Sequence, residues 1–255
     1  MLVISLTVIP QRVNNNFIMV LESLRTQPNI KEKLISVYVQ MDSLPQILSD
    51  YEKRHKGEIE FTLVSDKYRS YSKFYYASKK YNKDCDIVTV DDDLVYKPVL
   101  YKNYDYYLNN TNRDGIVGGC CLFVPYDKER HIITAPYKHN PKSKWLTEQH
   151  NEHVRSLSGC FLIIPKGFFN ETDLDDIDTF VTTAVGSSDE DYLWYKGIIK
   201  NKYQYCSGLY PNGFGDVYNL ALSYSYSLWE NYNKYSRQHL KQIEFLNSQI
   251  SNYFK

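Results

Sequence analysis

Short apolar runs alternate with amphipathic stretches over the first ninety residues. The runs at 2–9, 34–41, 59–64 and 86–90 are rich in β-branched residues and predict buried strands. Between them, the apolar positions recur at helical spacing. Predicted helices follow Asn16, which we expect to be the N-cap of the first, and cover 44–56 and 72–82.

This alternation of strand and helix predicts an α/β fold with a mostly parallel central sheet flanked by helices. Ligands of such sheets bind beyond the carboxyl ends of the strands. Polar residues follow each predicted strand end, at 7–12, Asp42, 65–73 and 91–93. The fold prediction therefore places all four segments along one rim of the sheet.

The second half of the chain shows no linker or internal repeat, so we expect it to complete the same sheet. A helix is predicted near 98–109, and "GIVGGCCLFVP" and "GCFLIIP" have the character of strands. The chain is predicted to be helical from Leu220, and a broad apolar stripe in the last helix is expected to pack on the domain. Docking on a partner or a membrane surface is the less favoured use of that stripe.

Composition and charge exclude several classes of partner. Thirty basic and thirty acidic residues cancel, so no overall field attracts nucleic acid or anionic lipid. No apolar run is long enough to span a membrane. Five scattered cysteines without a CxxC pair suit a reducing cytosol, so we expect a cytoplasmic protein, with peripheral membrane association as the alternative location.

The segment "DIVTVDDDLVYKP" places three aspartates directly after an apolar strand. Asp91 and Asp93 point to the same side of an extended chain, with Cα atoms roughly 6.6 Å apart. Two carboxylates at this spacing can hold one Mn²⁺ or Mg²⁺, which accept phosphates and water as further ligands. A solvated acidic turn explains the triplet equally well, and only its position at the ligand rim favours the metal.

Four segments together resemble nucleotide-sugar-dependent glycosyltransferases of the GT-A fold that contain a DxD motif and invert the anomeric centre. These are "VISLTVIPQR", "VYVQMDS", "SYSKF" and "IVTVDDDLVYKP", with "SDEDYLW" further along; the resemblance covers roughly residues 2 to 200. It implies one domain over 1–255. Residues 1–97 would bind the nucleotide-sugar, 98–219 would bind the acceptor and carry catalysis, and 220–255 would form a helical segment.

The resemblance also implies roles for single residues. Thr7 and Arg12 would approach the nucleotide, Asp42 would accept a hydrogen bond from uracil, and Lys73 would lie near the diphosphate. Asp91 and Asp92 would contact the ribose or the metal's water shell, and Asp93 would coordinate Mn²⁺ or Mg²⁺, with Asp91 as the second candidate ligand. For Asp42 and Lys73, ordinary loop polarity is the interpretation that the residues alone favour.

A second acidic cluster, Asp189, Glu190 and Asp191, precedes a helical run. Ser188 and Asp191 satisfy a capping-box pattern, which by itself accounts for the cluster. The family pattern, an acid pair followed by two residues and an aromatic, implies that Asp191 is the general base and Glu190 contacts the acceptor, with Asp189 as the third choice. A base in this position implies inversion.

The sequence therefore predicts transfer of a sugar, most simply from a UDP-linked donor, to a hydroxyl of a glycan, lipid-linked or protein acceptor. Two other function classes remain open. A sugar-phosphate nucleotidylyltransferase would share the sheet and the carboxylates, but it needs a glycine-rich basic loop after the first strand, and "TVIPQRVNN" has no glycine. A non-catalytic sugar- or nucleotide-binding module would need neither Asp191 nor a metal.

Overall fold

The computed structural model describes residues 1–96, 99–119, 121–123, 126–133, 145–146, 154–156, 162–183, 189–202, 204–207, 217–219 and 238–255.

Strands and helices alternate through the first half of the described chain. The strands are β1 (Leu2–Val8), β2 (Lys33–Val39), β3 (Ile59–Leu63), β4 (Asp86–Thr89), β5 (Leu94–Tyr96), β6 (Ile116–Gly118), β7 (Cys121–Phe123), β8 (Tyr126–Asp127), β9 (Ile132–Ile133), β10 (Trp145–Leu146), β11 (Val154–Ser156), β12 (Leu162–Ile164), β13 (Gln204–Cys206) and β14 (Val217–Asn219). The α-helices are α1 (Asn15–Arg25), α2 (Gln46–Arg54), α3 (Ser72–Tyr81), α4 (Val99–Asn110), α5 (Ile177–Thr183), α6 (Asp189–Ile199) and α7 (Gln238–Tyr253). Two 3₁₀ helices cover Pro10–Arg12 and Asp66–Tyr71.

Within the described residues, the central sheet has seven strands in the order β13-β6-β12-β4-β1-β2-β3. Strand β1 pairs in parallel with β2 and β4, and β2 pairs in parallel with β3. Strand β12 runs antiparallel to both of its neighbours. The predicted α/β fold with a mostly parallel central sheet is confirmed, and the carboxyl ends of β1 to β4 lie at one rim.

The two faces of the sheet are covered by different helices, because alternate residues of a strand point to opposite sides. Leu2, Ile4 and Leu6 of β1 pack with α1 and α4 in one core. Val3 of β1 belongs to the other core, with α3, α5, α6 and α7. Strands buried on both faces are expected for a parallel sheet with helical crossovers.

The N-cap of helix α1 lies two residues before the predicted one. Asn14 is the N-cap, and its side-chain oxygen accepts hydrogen bonds from the backbone N–H groups of Asn16 and Phe17 at 2.9 and 3.3 Å. The prediction of Asn16 as the cap was wrong, because both asparagines can cap and the path of the chain after the 3₁₀ turn selects the first. The predicted apolar stripe of this helix is buried.

The apolar stripe of α7 packs on the domain, as predicted. Ile243, Leu246 and Ile250 are buried in the same core as α6. The predicted helical stretch between 220 and 237 lies outside the described residues. In the part of the chain that the structure describes, no helix has the length and apolar character needed to cross a membrane.

Contacts of α3 with β1 and α6 determine the positions of the polar residues at the rim. Ser5 of β1 donates a hydrogen bond to the carbonyl oxygen of Lys73, which fixes the first turn of α3 on the sheet. The rings of Phe74 and Tyr192 stack with centroids 5.5 Å apart, joining α3 to α6. This packing brings the start of α6 next to the start of α3.

Candidate functional site

Arg12 forms ion pairs with two of the three aspartates that follow β4. It ends the 3₁₀ turn that directly follows β1, and its guanidinium group contacts the Asp92 carboxylate and lies 3.3 Å from Asp93 Oδ2. Asp92 is buried, whereas Asp93 is 30% exposed. The triplet is therefore compensated in part by a cation of the chain itself.

Lys73 neutralises the third aspartate. Its Nζ donates a hydrogen bond to Asp91 Oδ1 at 2.8 Å and lies 3.2 Å from Asp189 Oδ2. The Lys73 side chain is only 5% exposed, so its charge is held by these partners rather than by water. The hydroxyl group of Tyr96 accepts a hydrogen bond from the Asp91 backbone N–H at 2.8 Å and fixes the chain at this point.

The electrostatics of the triplet favour a further cation. Burial raises the pKa of Asp92 to about 7 against the opposing effect of Arg12. Burial and then repulsion from Asp91 raise the pKa of Asp93. With Asp189 included, four carboxylates face two cations, a formal charge of minus two. Ionised carboxylates in this group are destabilised, and a divalent cation would relieve the repulsion.

Asp91 and Asp93 fit a divalent-cation site with few protein ligands. Both carboxylates are partly exposed at the rim, with side chains 29% and 30% accessible, and carboxylate oxygens are the hard ligands that Mg²⁺ and Mn²⁺ prefer. Among the described residues, no group of three or more histidine, cysteine, aspartate or glutamate side chains is arranged to hold a metal. Any ion here would therefore take its other ligands from water and from a bound phosphate.

A cavity of about 640 Å³ lies at the carboxyl ends of β1, β2 and β3, and Asp42 lines it as the fold prediction requires. The residues lining it are Pro10, Gln40, Met41, Asp42, Ser43, Pro45, Val64, Ser65 and Asp66. This lining combines apolar surface with hydrogen-bond acceptors and contains no basic residue. Pro10 begins the turn that ends at Arg12, so this turn links the wall of the cavity to the residue that contacts the aspartate triplet.

Gln40 was not predicted as a site residue, and it organises the wall of this cavity. Its side-chain N–H groups donate to the carbonyl oxygen of Arg69 at 2.8 Å and to Ser72 Oγ at 3.2 Å. Arg69 has a φ of 44°, which is unusual for a residue other than glycine. Gln40 lies directly after β2, and this position is the sequence signal that could have identified it as a site residue.

Thr7 lies on β1 beside the rim and is half-buried. Its hydroxyl oxygen is buried and, among the described residues, has no hydrogen-bond partner. A buried hydroxyl without a partner is uncommon and needs an explanation. Its position is compatible with the predicted approach to a nucleotide, which stays a prediction.

The three acids at the start of α6 occupy different environments. Asp189 is buried against Lys73, and burial raises its pKa to about 7 while Lys73 opposes the shift. Glu190 is partly exposed. Burial acts to lower the pKa of Lys73, but the charges of Asp189 and Asp91, with a smaller effect of Glu190, outweigh burial and raise it. Asp191 is fully buried. Ser188, the predicted capping partner, lies outside the described residues.

The structure thus brings most of the sequence-predicted residues to one rim. Arg12, Lys73 and the aspartate triplet are in direct contact, and Asp42 lines the cavity. Asp189, the third choice among the acids of α6, is the one that contacts Lys73. Of the histidines in the polar stretch, His139, His150 and His153 lie outside the described residues.

No protein-family model matches the chain, and no curated protein sequence is significantly similar to it. Among solved structures, it is similar to residues 1–349 of S. aureus TarS, with a TM-score of 0.47 and 13% identity over 81% of this chain; the similarity spans 60% of that chain. It is also similar to the galactosyltransferase LgtC in complex with donor and acceptor sugar analogs, with a TM-score of 0.45 and 15% identity over 76% of this chain and 69% of that one. At these values the likeness says nothing about the reaction, since one fold hosts many chemistries.

Proposed function

We propose that the chain is a metal-dependent glycosyltransferase that moves a sugar from a nucleotide-sugar donor, UDP-linked, to a hydroxyl group of a glycan, lipid-linked or protein acceptor. The observation that carries the proposal is the rim itself. An acidic cavity without a basic lining residue is linked by the turn from Pro10 to Arg12 to a cluster of three aspartates, one arginine and one lysine. A nucleobase suits the cavity, and a diphosphate would bind the cluster through the divalent cation that the excess of carboxylates attracts.

We assign the nucleobase of the donor to the cavity because of the size of the cavity and the chemistry of its lining. Its volume of about 640 Å³ lies within the range of small-molecule sites, and its acceptors suit the N–H of a uracil. Asp42 is the acceptor that we assign to that N–H. We assign Thr7, in β1, and Arg12, at the end of the turn that follows β1, to the part of the donor site that faces the phosphates.

Departure of the sugar requires stabilisation of the negative charge that develops on the leaving diphosphate. Asp91 and Asp93 would hold Mn²⁺ or Mg²⁺, which supplies Lewis-acid stabilisation of that charge when bound. Lys73 supplies a fixed positive charge on the same side, and its burial makes that charge effective because water does not screen it. Arg12 holds Asp92 and orients the triplet.

The general base is assigned to the start of α6. A base must reach the attacking hydroxyl, and Glu190 is the partly exposed acid there, whereas Asp191 is enclosed. We therefore assign proton removal to Glu190, with the sequence-derived assignment to Asp191 as the alternative tested by the same experiment. Attack from the side opposite the diphosphate would invert the anomeric centre, which NMR of the first product formed can test.

Calorimetry with UDP in the presence and absence of Mn²⁺, together with hydrolysis of a panel of nucleotide-sugars, tests the proposed function. We expect Mn²⁺ to strengthen UDP binding and one donor to be cleaved slowly without an acceptor. Metal-independent binding without cleavage of any donor would favour a non-catalytic binding module.

Variants separate binding from chemistry. Asp93→Asn is expected to abolish the Mn²⁺-dependent gain in UDP affinity. Substitution of the true base, Glu190→Gln or Asp191→Asn, should leave UDP binding intact and lower turnover by about 10²-fold or more. Asp50→Asn, an exposed acid on α2, is the control and should change neither. If both Glu190→Gln and Asp191→Asn turn over normally, the base does not come from α6.

A further inference from the structure

The Lys73 ammonium group lies between two carboxylates from distant parts of the chain. Asp91 belongs to the exposed rim, and its Oδ1 is 2.8 Å from Lys73 Nζ. Asp189 belongs to the buried start of α6, and its Oδ2 is 3.2 Å from the same nitrogen. The side chains of Lys73 and Asp189 are 5% and 4% exposed. One buried cation therefore joins the rim to the helix that carries the second acidic cluster.

A second buried lysine, Lys196, differs from Lys73 in the partners of its ammonium group. Lys196, also 5% exposed, donates to Asp176 Oδ2 at 2.8 Å. That pair joins α6 to the turn before α5 and involves none of the aspartates of the triplet. Lys73 differs in that one of its two partners is a candidate metal ligand, so its surroundings would change when a cation binds.

A divalent cation and an ammonium group compete for the same carboxylate. When a divalent ion binds Asp91, the positive charge of the ion repels the Lys73 ammonium group. The ammonium group then also loses part of the compensation of its charge by Asp91. A buried ammonium group without a carboxylate partner is strongly unfavourable. Asp189 is the carboxylate that remains beside it.

We propose that Asp189 is a positioning residue that holds the Lys73 ammonium group in place when a divalent cation occupies Asp91. This inference rests on the proposed function and goes beyond it, because it gives an acid of α6 a role in binding of the cation. Asp189 acts through Lys73 and touches neither the substrate nor the ion. Without the Asp189 carboxylate, the Lys73 ammonium group either remains paired with Asp91 and competes with the ion, or moves out of its position.

Mn²⁺ affinity in the absence of nucleotide, measured from the electron paramagnetic resonance signal of free Mn²⁺, tests the coupling. We expect Asp189→Asn to weaken Mn²⁺ binding by about tenfold, because the Lys73 ammonium group, having lost its second carboxylate, would compete with the ion for Asp91. In a Lys73→Met background, the same substitution should change the affinity less than about twofold, because there is no ammonium group to hold. Asp176→Asn is the matched control and should not change Mn²⁺ affinity.

Equal losses in both backgrounds would overturn the inference, because Asp189 would then act by its charge alone. Absence of Mn²⁺ binding to the unmodified protein would be a different result. It would show that the proposed function does not depend on a metal, and this inference would then be wrong as well.

A second measurement does not depend on the folding of Lys73→Met. In protein labelled with ¹⁵N-lysine, the buried ammonium groups of Lys73 and Lys196 should exchange slowly and give NMR signals. Addition of Mg²⁺ should leave the Lys73 signal visible in the unmodified protein and abolish it in Asp189→Asn, while the Lys196 signal persists in both. The same response of Lys73 in both proteins would contradict a positioning role.

Discussion

Arg12 is the residue on which the conformation of the aspartate triplet most directly depends. Its guanidinium group faces both Asp92 and Asp93, and its own pKa is raised because their charges outweigh the effect of burial. Removal of one member of a buried ion pair leaves the other charge uncompensated. The cation binding proposed for the triplet thus depends on the contact of Arg12 with Asp92 and Asp93.

We expect Arg12→Met to lower the free energy of unfolding by about 3 kcal/mol or more, because Asp92 would be left buried and unpaired. The double variant Arg12→Met/Asp92→Asn should recover most of this loss, since the uncompensated carboxylate is then absent. Urea denaturation of both variants and the unmodified protein provides the measurement.

The control for this prediction is Arg25→Met, which breaks a more exposed pair with Glu22 and should cost at most about 1 kcal/mol. If Arg12→Met were no more destabilising than Arg25→Met, the buried pair would not hold the triplet.

At the scale of elements, Glu60 joins the edge strand β3 to β2 and α3. Its carboxylate accepts hydrogen bonds from Ser36 at 2.7 Å, from Lys80 at 2.9 Å and from Tyr81. Burial acts to raise the pKa of Glu60, but these hydrogen bonds outweigh it and the pKa is lowered from its ordinary value of 4.5. This carboxylate therefore holds the edge strand against its neighbouring strand and against the end of α3.

The lowered pKa predicts a pH dependence of stability. The folded protein holds fewer protons on Glu60 than the unfolded chain, so the stabilisation is present above the ordinary pKa and is lost as pH falls through the folded-state value. Glu60→Gln should therefore cost about 1–2 kcal/mol at neutral pH. The difference from the unmodified protein should close as the solution is acidified below pH 4.5.

Denaturation curves over a pH series check this, with Lys80→Met as a comparison. Lys80 is half exposed, so we expect its loss to matter less than the loss of the shared carboxylate. A stability difference that stays constant with pH would show that ionisation of Glu60 is not its source.

At the scale of the whole molecule, the two cores on either side of the sheet hold the rim together. The core formed by α3, α5, α6 and α7 connects the first strand to the last helix. It includes the stacked pair Phe74 and Tyr192, which keeps Lys73 beside Asp189. The last helix of the chain therefore supports the site indirectly, through α6.

Leu246→Ala should lower the free energy of unfolding by about 2–5 kcal/mol, because the side chain is 1% exposed and its loss leaves a cavity. Ser248→Ala, on the exposed side of the same helix, is the control and should remain within about 0.5 kcal/mol. Thermal or chemical denaturation measures both. A negligible effect of Leu246→Ala would mean that α7 does not pack on the domain in solution.

The sequence by itself determined the strand and helix pattern of the first half, the α/β class and the segments that lie along the rim. These follow from local information, since hydrophobic periodicity and the polar residues after each strand are properties of short segments. The segments that contain Arg12, Asp42, Lys73 and the aspartate triplet were placed along the rim in this way, whereas the roles of these single residues came from the family resemblance. The choice of Asn16 as the N-cap was wrong, because three consecutive asparagines, 14–16, can each cap a helix and only the path of the chain selects Asn14.

Only the tertiary structure decided which charges meet. The pairs Arg12–Asp92 and Lys73–Asp189 join residues far apart in the chain, and no local pattern indicates them. The orientation of α6 about its axis follows from the packing of Tyr192 against Phe74, and this orientation buries Asp189 and Asp191 and leaves Glu190 partly exposed. The sequence shows three neighbouring acids, and packing gives each a different environment.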